Sequence, residues 1–177
     1  MNKKLYIDAD SFPVNFRQII LKRVMKDNLE AIFVADRKLK DVELARDQHS
    51  AFLRDPFRGL MDKEELRKIK STILMVVVET GANSADDHII ENIKEGDMLI
   101  THDIPLADRA VTKGAIVLDD RGNTYTKENI KARLSERNMM CEFRSLGLQL
   151  ESQGRMSDKV KTEFANAFDK ALIKFKG

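Results

Sequence analysis

The sequence predicts an α/β domain: a central, mostly parallel five-stranded sheet flanked by helices in three layers. Short β-rich runs alternate with stretches of helical periodicity, which implies βαβ units. Residues 72–78, Thr-Ile-Leu-Met-Val-Val-Val, are apolar on both faces, as expected of a strand buried inside a parallel sheet. Acidic residues recur where the apolar runs end.

Each element can be justified in order. Lys4 to Ile7 reads as a strand running into Asp8 and Asp10, and Phe12-Pro13 closes it before a helix from Asn15 to about Asn28 with Phe16, Ile19, Ile20 and Val24 at helical spacing. Leu29 to Ala35 is the second strand and 72–78 the third. Ser84 can cap the next helix, which carries Ile89, Ile90 and Ile93 and ends at Gly96. Met98 to Thr101 is the fourth strand. Asp103 can cap a helix with Pro105 in its first turn, stopping at Gly114, and Ala115 to Leu118 is the fifth strand. The remainder is helical: Thr126 caps a helix bearing Ile130, Leu134 and Met139, and Ser157 caps another bearing Val160, Phe164, Phe168 and Leu172.

Residues 1–177 are expected to form a single domain, with the helices of 126–177 packed on it. The stretch 37–71 is too long for a structureless loop. It reads as a helical insertion, with helices at Val42 to Leu53 and Asp62 to Lys70.

Apolar residues make up 42% and charged residues 34% of the 177, which suits a folded globular chain and argues against disorder. No apolar run approaches the ~18 residues of a membrane span, and the N-terminus lacks a signal-peptide core. A lone cysteine, Cys141, can form no internal disulfide and no thiolate-rich metal site. These features predict a cytoplasmic protein without a membrane partner. The net charge of +2 hides a division, with basic residues crowding 37–71 and the C-terminal third.

Ligands of open parallel sheets bind beyond the carboxyl ends of the strands, and those positions here are acidic. Asp8 and Asp10 follow strand one, Asp103 follows strand four, Asp119 and Asp120 follow strand five, and Asp86 and Asp87 sit in the first turn of the helix after strand three. Gathered carboxylates need a cation, and an all-oxygen set suits Mg²⁺ or Mn²⁺ better than zinc. Phosphodiester hydrolysis is the chemistry such ions support. Each acid also has a structural role open to it. Asp103 suits an N-cap, Asp86 and Asp87 suit a helix dipole, and Asp119 and Asp120 beside Arg121-Gly122 suit a turn. Asp8 and Asp10, directly after a buried strand, gain nothing in packing.

The segments Tyr6-Ile-Asp-Ala-Asp10, Gly81-Ala-Asn-Ser-Ala-Asp-Asp-His-Ile89, Gly96-Asp-Met-Leu-Ile-Thr-His-Asp-Ile-Pro-Leu-Ala107, Arg121-Gly122 and Phe164-Ala-Asn-Ala-Phe-Asp169 resemble uncharacterised protein family 0178, the bacterial domain of unknown function 188, placed among PIN-like domains. The resemblance spans nearly the whole chain outside ~37–71. It implies a PIN-like fold and a nuclease activity, RNA before DNA, with Asp8, Asp10, Asp86 and Asp103 as catalytic metal ligands and Asp87 and Asp119 in support. Arg137 and Arg144 fall on basic positions of the family and, seven apart, would share one helix face; for them, as for Arg121, phosphate contact is the nucleic-acid-binding role, and a solvated or salt-bridged face is the alternative. The chain departs from the family pattern in Ser11-Phe12-Pro13, where a cysteine precedes the proline in the family, in Asp36, where Asn is usual, and in the length of 37–71. Two other functions compete: a non-catalytic RNA- or protein-binding module, and a phosphatase of the haloacid dehalogenase type using Asp8-Ala-Asp10 as its nucleophile motif. His49, His88 and His102 lack metal-ligand spacing.

Overall fold

Residues 2–148 and 157–177 are described by a computed structural model. Positions 149–156 of the expected helical region 126–177 therefore lie outside the described residues. The strands form a mostly parallel six-stranded sheet in the order β3-β2-β1-β4-β5-β6, with β1 at Leu5–Asp8, β2 at Ala31–Ala35, β3 at Ile73–Val77, β4 at Met98–Ile100, β5 at Ile116–Leu118 and β6 at Thr124–Tyr125. The sixth strand is a correction to the expected five. It is two residues long and pairs antiparallel with β5, too short to leave a periodic trace in the sequence. The chain divides into two compact units, Met1–Ile89 and Ile90–Gly177.

In the first unit, β1 pairs in parallel with β2, and β2 with β3. Every residue of β1 and β2 is buried. Helix α1 (Val14–Asp27) turns Phe16, Ile20, Leu21 and Val24 inward at helical spacing and ends on Asn28, which adopts a left-handed conformation at φ 50°. Helix α2 (Lys40–Arg54) buries Val42, Ala45 and His49 and packs on both α1 and β3. A 3-10 turn, Asp55–Phe57, follows it. Helix α3 (Lys63–Lys68) is closed by a capping box in which Asp62 Oδ1 accepts from the N–H groups of Glu64 and Glu65, both at 2.8 Å. The helices expected within 37–71 are thus present. The stretch also has a topological role, because two parallel strands need a crossover and α2 supplies the one between β2 and β3.

Strand β3 departs from its expected burial. It is the outermost strand in the order, and Leu74 and Val77 are each 47% exposed. An apolar run reports that a strand is β-forming, but the position in the sheet is set by topology, which the run does not encode. His49 is 1% exposed, its Nδ1 lies 3.0 Å from Ser71 Oγ, and burial holds its imidazole below the ordinary pKa.

Helix α4 (Ser84–Asn92) turns Ile89 inward, and the division between the units falls within it. In the second unit β4 and β5 are parallel. Between them α5 (Ile104–Thr112) presents Leu106, Ala107, Ala110 and Val111 inward. Helix α6 (Ile130–Ser145) starts at Asn129, not at the expected Thr126. The Thr126 N–H instead donates to Asn129 Oδ1 at 2.9 Å, so the segment between them is a turn. The apolar side expected of this helix is short: Ile130 is buried but Met139 is 49% exposed. Helix α7 (Asp158–Lys176) is capped by Ser157 as expected and buries Phe164, Phe168, Leu172 and Phe175. The rings of Phe164 and Phe168 stack at 5.9 Å between centroids.

Candidate functional site

Asp8 is the last residue of β1 and is buried. Ser11 Oγ lies 3.1 Å from both the Asp8 carbonyl oxygen and Asp8 Oδ2. Asp10 follows within the short 3-10 turn Ala9–Ser11. Its Oδ2 accepts from the Asp36 N–H at 2.7 Å, which ties the end of β1 to the end of β2. Arg37 Nη1 bridges the two carboxylates, 3.4 Å from Asp10 Oδ1 and 2.9 Å from Asp36 Oδ1. Burial and the adjoining Asp36 charge push the Asp10 carboxyl above the usual carboxylate range, against the lowering influence of the Asp36 N–H and Arg37.

This acidic corner is anchored from beneath by Arg17 on α1. The Arg17 guanidinium is buried and meets Asp41 of α2 in a fork, Nε to Oδ2 at 2.8 Å and Nη2 to Oδ1 at 3.1 Å. Its Nη1 donates to the carbonyl oxygen of Phe12 and lies 3.5 Å from that of Ala9. The clamp therefore fixes the backbone on both sides of Asp10. Asp86 is half-buried in the first turn of α4, and Asp87 beside it is exposed.

In the second unit the acids serve different ends. Asp103 caps α5, its Oδ1 accepting from Leu106 N at 2.9 Å, while its own N–H donates to Thr101 Oγ1 at 3.0 Å. A carboxylate offers about four acceptor sites, so the cap does not exhaust it. Asp119 is buried, and four donors surround it. Oδ1 accepts from Arg121 N at 2.9 Å and Asn123 N at 2.7 Å, and Oδ2 from Asn123 Nδ2 at 2.8 Å and Tyr125 Oη at 2.9 Å. It is the hub of the β5–β6 turn, and burial together with its negative charge pushes the Tyr125 phenol well above its usual range. Asp120 differs. Burial raises its carboxyl, while the nearby His102 and Arg121 oppose the shift and Asp119 adds to it. Arg137 and Arg144 are exposed on α6.

Sequence reasoning undervalued Asp36, Arg37 and Asp120 and missed the Arg17 clamp. Asp36 follows β2 as Asp8 ends β1, so the rule that singled out Asp8 also reaches it. Arg17 and Asp41 lie 24 positions apart on different helices, and no local pattern joins them.

The donor chemistry around Asp10 suits a hard divalent ion. Asp10 Oδ1 is buried and accepts no hydrogen bond, with Arg37 at the longer ion-pair distance, and two carboxylates share that single guanidinium. An ion bound there would take over the neutralising role of Arg37. Among the described residues, no three His, Cys, Asp or Glu side chains already stand together as a metal-holding group.

The fold and these side chains define a class: an α/β protein with carboxylates at the carboxyl ends of parallel strands. The chain belongs to the bacterial family described as "Uncharacterized BCR, YaiI/YqxD family", domain of unknown function 188, whose model matches residues 60–174. A UPF0178 protein of Desulfotalea psychrophila is 39% identical over 173 residues, covering 98% of this chain and 99% of its own. A UPF0178 protein of Vibrio vulnificus is 34% identical over 173 residues with 98% and 99% coverage, and one of Sulfurimonas denitrificans is 33% identical over 171 residues with 97% and 96%. No helix among the described residues is long and apolar enough to cross a membrane.

Proposed function

We propose that the protein is a metal-dependent nuclease that hydrolyses phosphodiester bonds, in RNA before DNA, with Mg²⁺ or Mn²⁺ held by Asp8, Asp10, Asp86 and Asp103. The observation that carries this reading is the pairing of Asp10 with Asp36 at the ends of adjoining strands β1 and β2, under one shared arginine and directly after the buried Asp8. Such repulsion contributes nothing to packing, and its natural use is to draw in a cation.

When bound, the ion would supply electrostatic stabilisation of charge on a phosphate in transfer. The chain's own residues set the stage for it. Ser11 orients Asp8, the Asp36 N–H orients Asp10, and the Arg17 clamp holds the turn between them. Arg37, 63% exposed in its side chain, is free to swing from the acids toward an incoming phosphate. Asp119, saturated by four donors, supports the fold of its turn and needs no part in metal binding.

The test is cleavage of a labelled RNA with Mn²⁺ present or chelated, comparing wild type with Asp8→Asn and Asp103→Asn. Each substitution is expected to cost more than the roughly 10–100-fold typical of residues behind the metal ligands. Activity that survives both would overturn the reading. A second reading, a module that grips RNA without cutting it, is favoured by the lack of a ready three-ligand group among the described residues. RNA retention with no metal-dependent turnover would select it.

A further inference from the structure

A groove of about 580 Å³ lies in the second unit between the β5–β6 turn and α7, and its lining includes none of the acids proposed to hold metal. Its polar lining comes from Arg121 and Thr124 on the turn and Glu163, Asn166, Lys170 and Lys174 on α7. Gly122 is part of the lining. With φ at +84°, a Cβ on that residue would stand 2.9 Å from Ala167 Cβ and 3.1 Å from the Glu163 carbonyl oxygen, so the turn presses directly onto the helix. This close approach sets Arg121 opposite the helix face that carries Lys170 and Lys174.

The charge in the groove is lopsided. Among the described residues, Lys170 and Lys174 enter no ion pair or side-chain hydrogen bond, and Arg121 lies near the Asp120 carboxylate. Glu163, the one acid in the lining, is turned toward Lys159 at 3.9 Å. Helix electrostatics account for Lys174, which sits in the last turn of α7 where a cation is favoured, but not for Lys170 or Arg121.

We propose that this groove binds a nucleic-acid strand through its phosphodiester backbone, which deepens the nucleic-acid part of the reading above without depending on cleavage. The groove follows the C-terminal half of α7, whose carbonyl end repels anions, so it has no backbone cup for a compact phosphate. Binding must come from mobile side-chain cations, the means by which proteins track a strand. Lys170 and Lys174 are one turn apart, about 6 Å along the axis, with Arg121 facing them, which spreads the charge instead of focusing it. Among the described residues no aromatic ring lines the groove, so the lining offers bases no stacking platform and the grip falls on the backbone.

The experiment measures fluorescence anisotropy of labelled oligo(U) and oligo(dU), each of about ten nucleotides, in chelator so that nothing is cut. Salt is varied between about 50 and 200 mM. Wild type should bind with affinity that falls as salt rises. The triple variant Arg121→Ala/Lys170→Ala/Lys174→Ala should lose about 2 from the magnitude of the log–log slope, since each phosphate contact on a single strand contributes about 0.7. Glu163→Gln should bind more tightly than wild type. All four side chains are exposed, and an unchanged circular dichroism melt confirms folding. Equal affinity for the two oligonucleotides assigns the grip to phosphate, and preference for oligo(U) adds a sugar contact; both uphold the proposal. No wild-type binding, an unchanged slope in the triple variant, or displacement of neither oligonucleotide by inorganic pyrophosphate that itself binds the groove would overturn it. A protein that cleaves RNA but keeps its slope in the triple variant would retain the nuclease reading and lose this one.

Discussion

Replacing Arg17 by Met removes the clamp beneath the acidic corner while keeping an apolar stem of similar length. The guanidinium and the Asp41 carboxylate are 9% and 14% exposed, so neither partner is bathed in water. Removing one member of such a pair costs about 3–5 kcal/mol, because the remaining charge stays buried alone. Asp41 lies in the first turn of α2, where the helix dipole returns about 0.5–1 kcal/mol. The Phe12 carbonyl, which accepts from Arg17 Nη1, loses its charged donor and adds about 1 kcal/mol or more. The net expectation for Arg17→Met is a loss of about 3–5 kcal/mol, read from urea unfolding at unchanged m-value. Arg17→Met/Asp41→Leu should recover most of that loss, since the stranded carboxylate is gone. A single-variant loss below about 1 kcal/mol, the value of an exposed ion pair, would refute the argument that the clamp is buried and structural.

Two further outcomes follow from the acids themselves. Asp119→Ala strips four donors of their acceptor in the β5–β6 turn and should cost about 3 kcal/mol or more, a drop of roughly 6–12 °C in Tm by calorimetry. Asp10 behaves in the opposite sense: its carboxyl is raised above the ordinary 3.8 by burial and by Asp36, so the folded state binds that proton more tightly than the unfolded chain. Its contribution to stability is therefore full below the unfolded value and lost as pH rises through the folded one. In chelator, Asp10→Asn should unfold at higher urea than wild type at pH 7, and the gap should narrow as the pH approaches 4.

The alternation of apolar runs with helical stretches carried most of the architecture, because β1, β2, β4 and α5 each announce themselves in a few contiguous residues. Position within the sheet was less legible. The run at 72–78 has the composition of a central strand yet forms the edge, since its neighbours are chosen by distant crossovers. Likewise, 37–71 looks like an addition along the chain and acts as a crossover in space. At the candidate site, Asp8 and Asp10 were visible from their place after β1. Asp36 needed the same reasoning applied to β2, and the Arg17–Asp41 fork only becomes visible once α1 and α2 pack together. Asp103 and Asp119 could not be sorted by sequence: one oxygen of the first is committed to a helix cap, and all the capacity of the second is spent on a turn.

Direct titration of Mn²⁺ into the protein by isothermal calorimetry tests the claim that the strand-end carboxylates exist to hold a cation. Wild type should show saturable binding that Asp8→Asn/Asp10→Asn abolishes while the variant still unfolds in one cooperative transition. Equal heats from both proteins, or none from wild type, would contradict it.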